Sequence, residues 1–216
     1  MKITSLLMQK KNDSRYNVYI DDNYCFSADY DDIVEFGLKV GSVFNQAELD
    51  ELIFKLQYKK AMDRAFYMID IKARTEYEIR KKLRESEYND DVIEKVISRL
   101  KELNYLDDMQ YSKLWVDNRM NLRPVGKRKL ISELKTKGVE PYIIEQTIDN
   151  CKYDDLDTAI KLLKKKLCKT SLESDYDKQK AYNRLYRFLL YRGIDYDTAR
   201  KALKLCLNEL NDELED

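Results

Sequence analysis

Residues that could carry catalysis are few. The 216-residue chain has no histidine, so the commonest general base and metal ligand is missing. There is no glycine-rich phosphate loop and no G-x-S-x-G elbow. The carboxylate pairs Asp21-Asp22, Asp107-Asp108 and Asp154-Asp155 precede stretches that read as helices. Capping and the helix dipole explain such pairs more simply than acid–base work. Cys25, Cys151, Cys168 and Cys206 show no C-x-x-C spacing, and a zinc site would need thiolates from four distant segments. Reduced thiols of a cytoplasmic protein are the simpler reading. Cys168, near Lys166 and Lys169, is the one hint of an activated thiol, and a weak one. The residue types argue against an enzyme.

Binding chemistry is better represented. Lys plus Arg equals Asp plus Glu at 40 each, so the total charge points to no partner, but its distribution does. Arg119 to Lys137 holds seven basic residues against one acid, Glu133. Lys72 to Arg84 holds six against two, and Lys178 to Arg192 five against none. Basic residues at equivalent places in stacked helices would make a stripe suited to a phosphate backbone or an acidic protein groove. The candidate contacts are Arg74, Arg80, Lys81, Arg119, Arg123, Lys127, Arg128, Lys135, Lys137, Arg184, Arg187 and Arg192. Any single run could equally be a solvated helix face; recurrence is what favours a binding stripe. Tyr182, Tyr186 and Tyr191 lie among basic residues, a mixture compatible with single-strand stacking, although core packing is the better reading of Tyr182 and Tyr186. Trp115, at helical spacing from Tyr111, reads as core.

The elements that must position these residues are mostly helical. Tyr16, Val18 and Ile20 alternate with Asn17 and Tyr19, Asp21-Asp22-Asn23 is turn chemistry, and Tyr24-Cys25-Phe26 follows. This predicts a hairpin, joined by Ile3 to Met8, that must lean on something. A short helix near Ile33 to Leu38 follows. Asn45 caps another that carries Leu49, Leu52, Ile53 and Leu56. From Ala61 the pattern is helical to the end. Thr75 and Glu78 match a capping box. Asn89 and Asp107 or Asp108 cap the next two helices, the second with Tyr111, Leu114, Trp115 and Met120 as its apolar positions. Arg123 to Ile148 then reads as helix, stop, helix: Leu130, Ile131 and Leu134, then Gly138 at a left-handed C′ position, then Pro141 in a first turn ahead of Ile143, Ile144 and Ile148. A final pass carries Ala159, Leu163, Leu185, Leu189, Gly193, Ala199 and Leu203, and the acidic tail from Asn208 is expected to fray.

The pattern repeats. Leu83 falls on Leu134 at an offset of 51, and Val92-Ile93 then falls on Ile143-Ile144. Leu134 falls on Leu189 at an offset of 55, which superposes Gly138 on Gly193. The fold class is mainly α: three tandem three-helix repeats in an elongated curved array, with a small N-terminal β-hairpin and α element. The expected divisions are 1–58 for that element, 59–106 and 107–150 for the first two repeats, and 151–216 for the third with its acidic tail.

Several stretches resemble the RecX family, regulatory proteins that modulate the RecA recombinase. They are Ala61 and Ala65 followed by Thr75-Glu76-Tyr77-Glu78-Ile79 and Lys82-Leu83; Leu103-Asn104-Tyr105-Leu106-Asp107-Asp108 with Tyr111, Val116 and Arg119; Gly126, Leu130, Glu133-Leu134-Lys135 and Lys137-Gly138-Val139; and Leu189 with Arg192-Gly193-Ile194-Asp195. They cover about residues 59–205, and the region before them resembles the extension of Gram-positive members. The resemblance implies binding in the groove of the RecA–DNA filament, with control (inhibition above all) of recombinase, ATPase and coprotease activity in DNA repair and the SOS response. It implies no cofactor, no metal and no catalysis. The expected partners are the RecA filament and single- or double-stranded DNA, with no membrane, for a monomer in the cytoplasm. The competing reading is a DNA-binding helical-repeat protein that acts without RecA, told apart by steeply salt-dependent binding to naked DNA.

Overall fold

A computed structural model describes residues 1–10, 12–151, 153–167 and 175–215, with side chains described outside 175–178 and 207–215. Cys168, Lys169, the Lys178 side chain and the side chains of the acidic tail therefore lie outside the described residues. The described residues form three strands and ten helices in two compact units. One unit comprises residues 1–73 and 79–105, the other 74–78 and 106–216.

In the first unit β1 (Ile3–Gln9), β2 (Asn12–Ile20) and β3 (Asn23–Asp29) form an antiparallel sheet in the order β1-β2-β3. The turn into β3 puts Asp21 and Asp22 at φ 48° and 65°. That is the primed hairpin geometry whose twist matches the strands, and Asp tolerates it. Helix α1 (Tyr30–Glu35) follows. The sheet packs on the front half of α2 (Gln46–Ile71): Ile3, Val18, Ile20 and Ala28 share a core with Leu38, Leu49, Leu52 and Leu56. Asp32 is buried with its carboxylate 2.8 Å from Lys59 Nζ, which pins α1 to α2. Burial pushes that carboxyl up, but the Lys59 and Lys60 ammonium groups outweigh it and hold it below its ordinary value.

Helix α2 corrects one expectation. The helix capped by Asn45 and the one expected from Ala61 are a single helix of 26 residues. Residues 58 and 59, the expected edge of the N-terminal element, lie inside it. No Gly or Pro interrupts residues 46–71, so nothing stops the helix there. Ala61, Ala65 and Met68 on its rear half are buried, as are Ile79 and Leu83 of α3 (Glu76–Arg84) and Val92, Ile93, Val96, Ile97 and Leu100 of α4 (Asp90–Glu102). Asn89 stands at the N-cap of α4 but makes no side-chain capping bond.

The second unit holds α5 (Asp108–Leu122), α6 (Lys127–Thr136) and α7 (Pro141–Asn150) around a core that includes Tyr111, Val116, Leu130, Leu134, Ile144 and Ile148. It continues with α8 (Asp155–Leu167), α9 (Asp175–Tyr191) and α10 (Tyr196–Glu215) around Leu163, Leu185, Leu189, Ile194, Ala199 and Leu203. Helix α5 turns Tyr111 and Trp115 toward the core as expected, but not Leu114 and Met120. Ser112 and Val116 are fully buried, while Leu114 and Met120 are exposed. The small Ser112 side chain, donating to the Asp108 carbonyl at 2.7 Å, takes the inward place that a larger residue would fill. The backbone of α10 continues as helix through Glu215, where fraying is expected from composition.

One stop recurs in all three repeats. The N–H groups of Tyr88, Val139 and Ile194 donate to the carbonyls of Leu83, Leu134 and Leu189, at 3.3, 3.1 and 3.1 Å. These are the same bonds at the two sequence offsets, each closing a left-handed C′ residue. That residue is Gly138 (φ 74°) and Gly193 (φ 86°) in the later repeats, but Glu87 (φ 61°) in the first. Replacing Glu87 with Gly removes an unfavourable left-handed conformation and is expected to stabilise the protein by about 1 kcal/mol, read as a rise in the urea midpoint. Gly126, by contrast, has an ordinary φ of −71°, yet a Cβ there would collide with the Gly193 carbonyl. Gly126→Ala is expected to cost about 1–3 kcal/mol by the same measurement.

Candidate functional site

The basic second helices of the repeats meet end to end in the second unit. The first turn of α3 belongs to this unit, and it abuts the C-terminal end of α6. Thr75 Oγ1 donates to the Lys137 carbonyl at 2.6 Å. The start of α6 abuts the end of α9 in the same way: Gly126 N–H donates to the Arg192 carbonyl at 2.8 Å. Thr75 is offset from Gly126 by 51 residues and Lys137 from Arg192 by 55, so these are one contact made twice. A second contact also recurs. Asp108, opening α5, accepts the Glu76 N–H at 2.9 Å, and Asp155, opening α8, accepts the Lys127 N–H at 2.9 Å. Each carboxylate satisfies an orphan donor at the N-terminus of a basic helix. Burial raises the Asp155 carboxyl above its ordinary value, with the Lys127 N–H pulling the other way.

Of the twelve candidate cations, five make contacts that tie them to their surroundings. Arg119 forms a bidentate pair with Glu133 at 2.8 and 3.0 Å and lies 5.1 Å from the Trp115 ring centroid. Lys137 Nζ is 2.8 Å from Glu78 and 5.6 Å from the same ring centroid. Arg74 lies 4.0 Å from Glu78, Arg80 pairs with Glu94 across both guanidinium nitrogens, and Arg192 donates to the Pro124 carbonyl at 3.3 Å. Lys127 is half-buried, while Lys81, Arg123, Arg128, Lys135, Arg184 and Arg187 are exposed. Arg128 and Lys135 are seven residues apart on α6 and Arg184 and Arg187 three apart on α9, spacings that put each pair on one helix face.

Glu133 and Glu78 are the residues that charge counting misses. Glu133 reads as a stray acid in a basic run and Glu78 as a capping residue only, yet each neutralises a cation at the edge of the core. Glu133 also accepts from Trp115 Nε1 at 3.0 Å. Trp115 is half-buried, stacks on Tyr111 at 6.0 Å and packs against the second-repeat core. Tyr111 is pushed up to about 12, chiefly by burial. Burial also pushes the Cys25 and Cys151 thiols up, which makes them poor thiolates at neutral pH. Among the described residues no cluster of His, Cys, Asp or Glu could hold a metal ion, and no helix is long and apolar enough to cross a membrane.

Three-helix modules in tandem, each with a basic second helix, following a small antiparallel sheet, define a helical-repeat protein. Comparison with known proteins gives the family. The regulatory protein RecX N-terminal domain matches residues 1–45, and the first, second and third three-helix domains of RecX match 61–100, 107–148 and 153–203. The chain is 36% identical over 208 residues to a regulatory protein RecX of Clostridium botulinum, covering 96% of this chain and 97% of that one. It is 34% identical over 220 residues to that of Bacillus velezensis, covering 99% and 80%. A crystal structure of a regulatory protein RecX shares the fold with a TM-score of 0.59 at 23% identity, over 92% of this chain and 97% of that one. The chain belongs to the RecX family of regulatory proteins.

The Glu78–Lys137 pair makes the junction sensitive to acid. Burial raises the Glu78 carboxyl, but the Lys137 ammonium and the Thr75 N–H outweigh it, so the folded value lies below the ordinary 4.5. Its stabilisation is therefore present above pH 4.5 and lost as pH falls through the lowered folded value. Lys137→Met is expected to cost about 1–2 kcal/mol at pH 7, and the cost is expected to shrink as the pH is lowered below 4.5, in a pH series of urea unfolding.

Proposed function

We propose that the protein is a regulator of RecA that binds along the groove of the RecA–DNA filament and lowers its ATPase, recombinase and coprotease activities. The support is family membership together with one observation: basic helices of successive modules joined end to end, with Arg128, Lys135 and Arg187 exposed along them and Arg123 exposed at the end of α5, just before α6. A filament presents the same surface repeatedly. Modules linked at fixed spacing engage neighbouring subunits at high effective concentration, so individually weak charge contacts sum to tight binding. Occupying the groove would then exclude a second DNA strand and a repressor substrate without any chemistry by the regulator itself.

The experiment is RecA-driven ATP hydrolysis and strand exchange on single-stranded DNA with the protein titrated in. Inhibition is expected at substoichiometric to stoichiometric ratios. Reversing Arg123, Arg128, Lys135 and Arg187 to Glu is expected to raise the concentration needed by about tenfold or more while leaving the fold intact, since these side chains are exposed. The wild-type protein leaving both activities unchanged at a stoichiometric ratio would sink the reading.

A further inference from the structure

The junction between the second and third repeats carries Lys129 and Tyr191 where the other junction in this unit has Glu78 and Thr136. Arg128, Lys129 and Ser132 of α6, with Tyr191, Gly193 and Tyr196 around the end of α9 and the start of α10, line an open pocket of about 420 Å³. Lys129 Nζ lies 4.2 Å from the Tyr191 ring centroid and donates to the Tyr191 carbonyl at 3.3 Å, which holds that tyrosine at the pocket. Even so, Tyr191 is 76% exposed and Tyr196 59% exposed. Both rings are thus left largely in water beside two cations and contribute little to the core. Tyr182 and Tyr186, in the same basic run, instead stack on each other and pack against the third-repeat core, as core packing requires.

The equivalent junction shows that the fold does not need this set. By the repeat offsets, Arg128 and Lys129 correspond to Tyr77 and Glu78, and Tyr191 and Tyr196 to Thr136 and Pro141. The end-to-end helix contact forms there without a lysine–tyrosine pair. Asp195, the carboxylate beside the pocket, is turned to its own helix and accepts the N–H groups of Asp197 and Thr198 at 3.0 Å each.

We propose that this pocket binds one unstacked base of a single-stranded nucleic acid, with Tyr191 and Tyr196 as stacking surfaces and Arg128 and Lys129 on the flanking phosphates. An open aromatic face accepts any base, and the base must be unpaired to reach it. A pocket of this size suits a single nucleotide. A duplex can offer only its phosphates, so single strands are preferred at equal charge. The proposal shares Arg128 with the filament reading but does not depend on RecA.

The test uses the full chain and a labelled oligothymidylate of about ten nucleotides, with fluorescence anisotropy across a salt series. The wild-type protein is expected to bind it more tightly than a duplex of equal phosphate number. Tyr191→Ala is expected to weaken binding about tenfold, and Tyr191→Phe to retain it. Arg128→Gln is expected to reduce the salt slope by about 0.7. Photocrosslinking of iodouracil-containing strand is expected to map to Tyr191 or Tyr196, and an unchanged thermal melt shows that the variants are folded. Absence of oligothymidylate binding, equal binding of the duplex, or an unaffected Tyr191→Ala overturns the proposal. An unaffected oligonucleotide affinity with a weakened effect on RecA would assign the pocket to a protein partner and overturn it equally. Wild-type protein that binds the single strand yet leaves the RecA activities unchanged would instead tell against the filament reading alone.

Discussion

The second unit depends on one contact: a backbone carbonyl at the end of one basic helix accepting a hydrogen bond from the cap residue of the next. Helix ends leave carbonyls and N–H groups without partners, and burying them unpaired is costly. Here the Arg192 and Lys137 carbonyls take the Gly126 N–H and the Thr75 hydroxyl, so each junction gives the carbonyl at a helix end a partner. The negative end of one helix dipole meets the positive end of the next, which adds to the same contact. Close approach then dictates residue type. A Cβ on Gly126 would meet the Gly193 carbonyl, and one on Gly138 would meet the Tyr77 ring. The carboxylates of Asp108 and Asp155 complete each joint by taking the first N–H of the abutting helix.

The joints also decide which charges remain for a partner. Lys137 and Arg119 lie in the most basic stretch of the chain, yet Glu78 and Glu133 hold them at the edge of the second-repeat core. Their guanidinium and ammonium groups fix the Trp115 ring and the first turn of α3, so their loss would be felt first as stability. The exposed cations behave differently. Screened by water and salt, each contributes little alone, and their effect must come from number and spacing.

Much of this was legible in the sequence. Gly138 and Gly193 mark helix stops because glycine adopts the left-handed conformation cheaply, and Thr75 with Glu78 spells a capping box that forms with both bonds. The first-repeat stop was hidden because Glu87 carries the same geometry without the residue type that signals it. On α5 the apolar pattern points to Tyr111 and Trp115 correctly but also to Leu114, and it passes over Ser112, because packing room there selects a small residue whatever its polarity. The long α2 was split in two because a change of packing partner along one helix looks like a boundary when only the apolar pattern is read. The division of the cations needed tertiary contacts: Glu133 is fourteen residues from Arg119 and Glu78 is fifty-nine from Lys137, and no local rule pairs them.

The same joints bear on how a repeated ligand could be recognised. Helix α6 has 10 residues, or about 15 Å of axis, and the contacts at its two ends are specific atom pairs that cannot slide by a turn without breaking. The starts of α6 and α3 are thereby held at a set interval, and so are the cations placed at fixed helical positions on α6. A ligand with its own regular repeat gains from that constancy, because once one module is bound the next meets its site without paying again for orientation. Flexible linkers between modules would spread the cations over many distances and lose that gain. The hydrogen-bonded joint is thus what would convert dispersed, weak surface charges into a ruler, and a change that loosened it would reduce avidity even with every exposed cation in place.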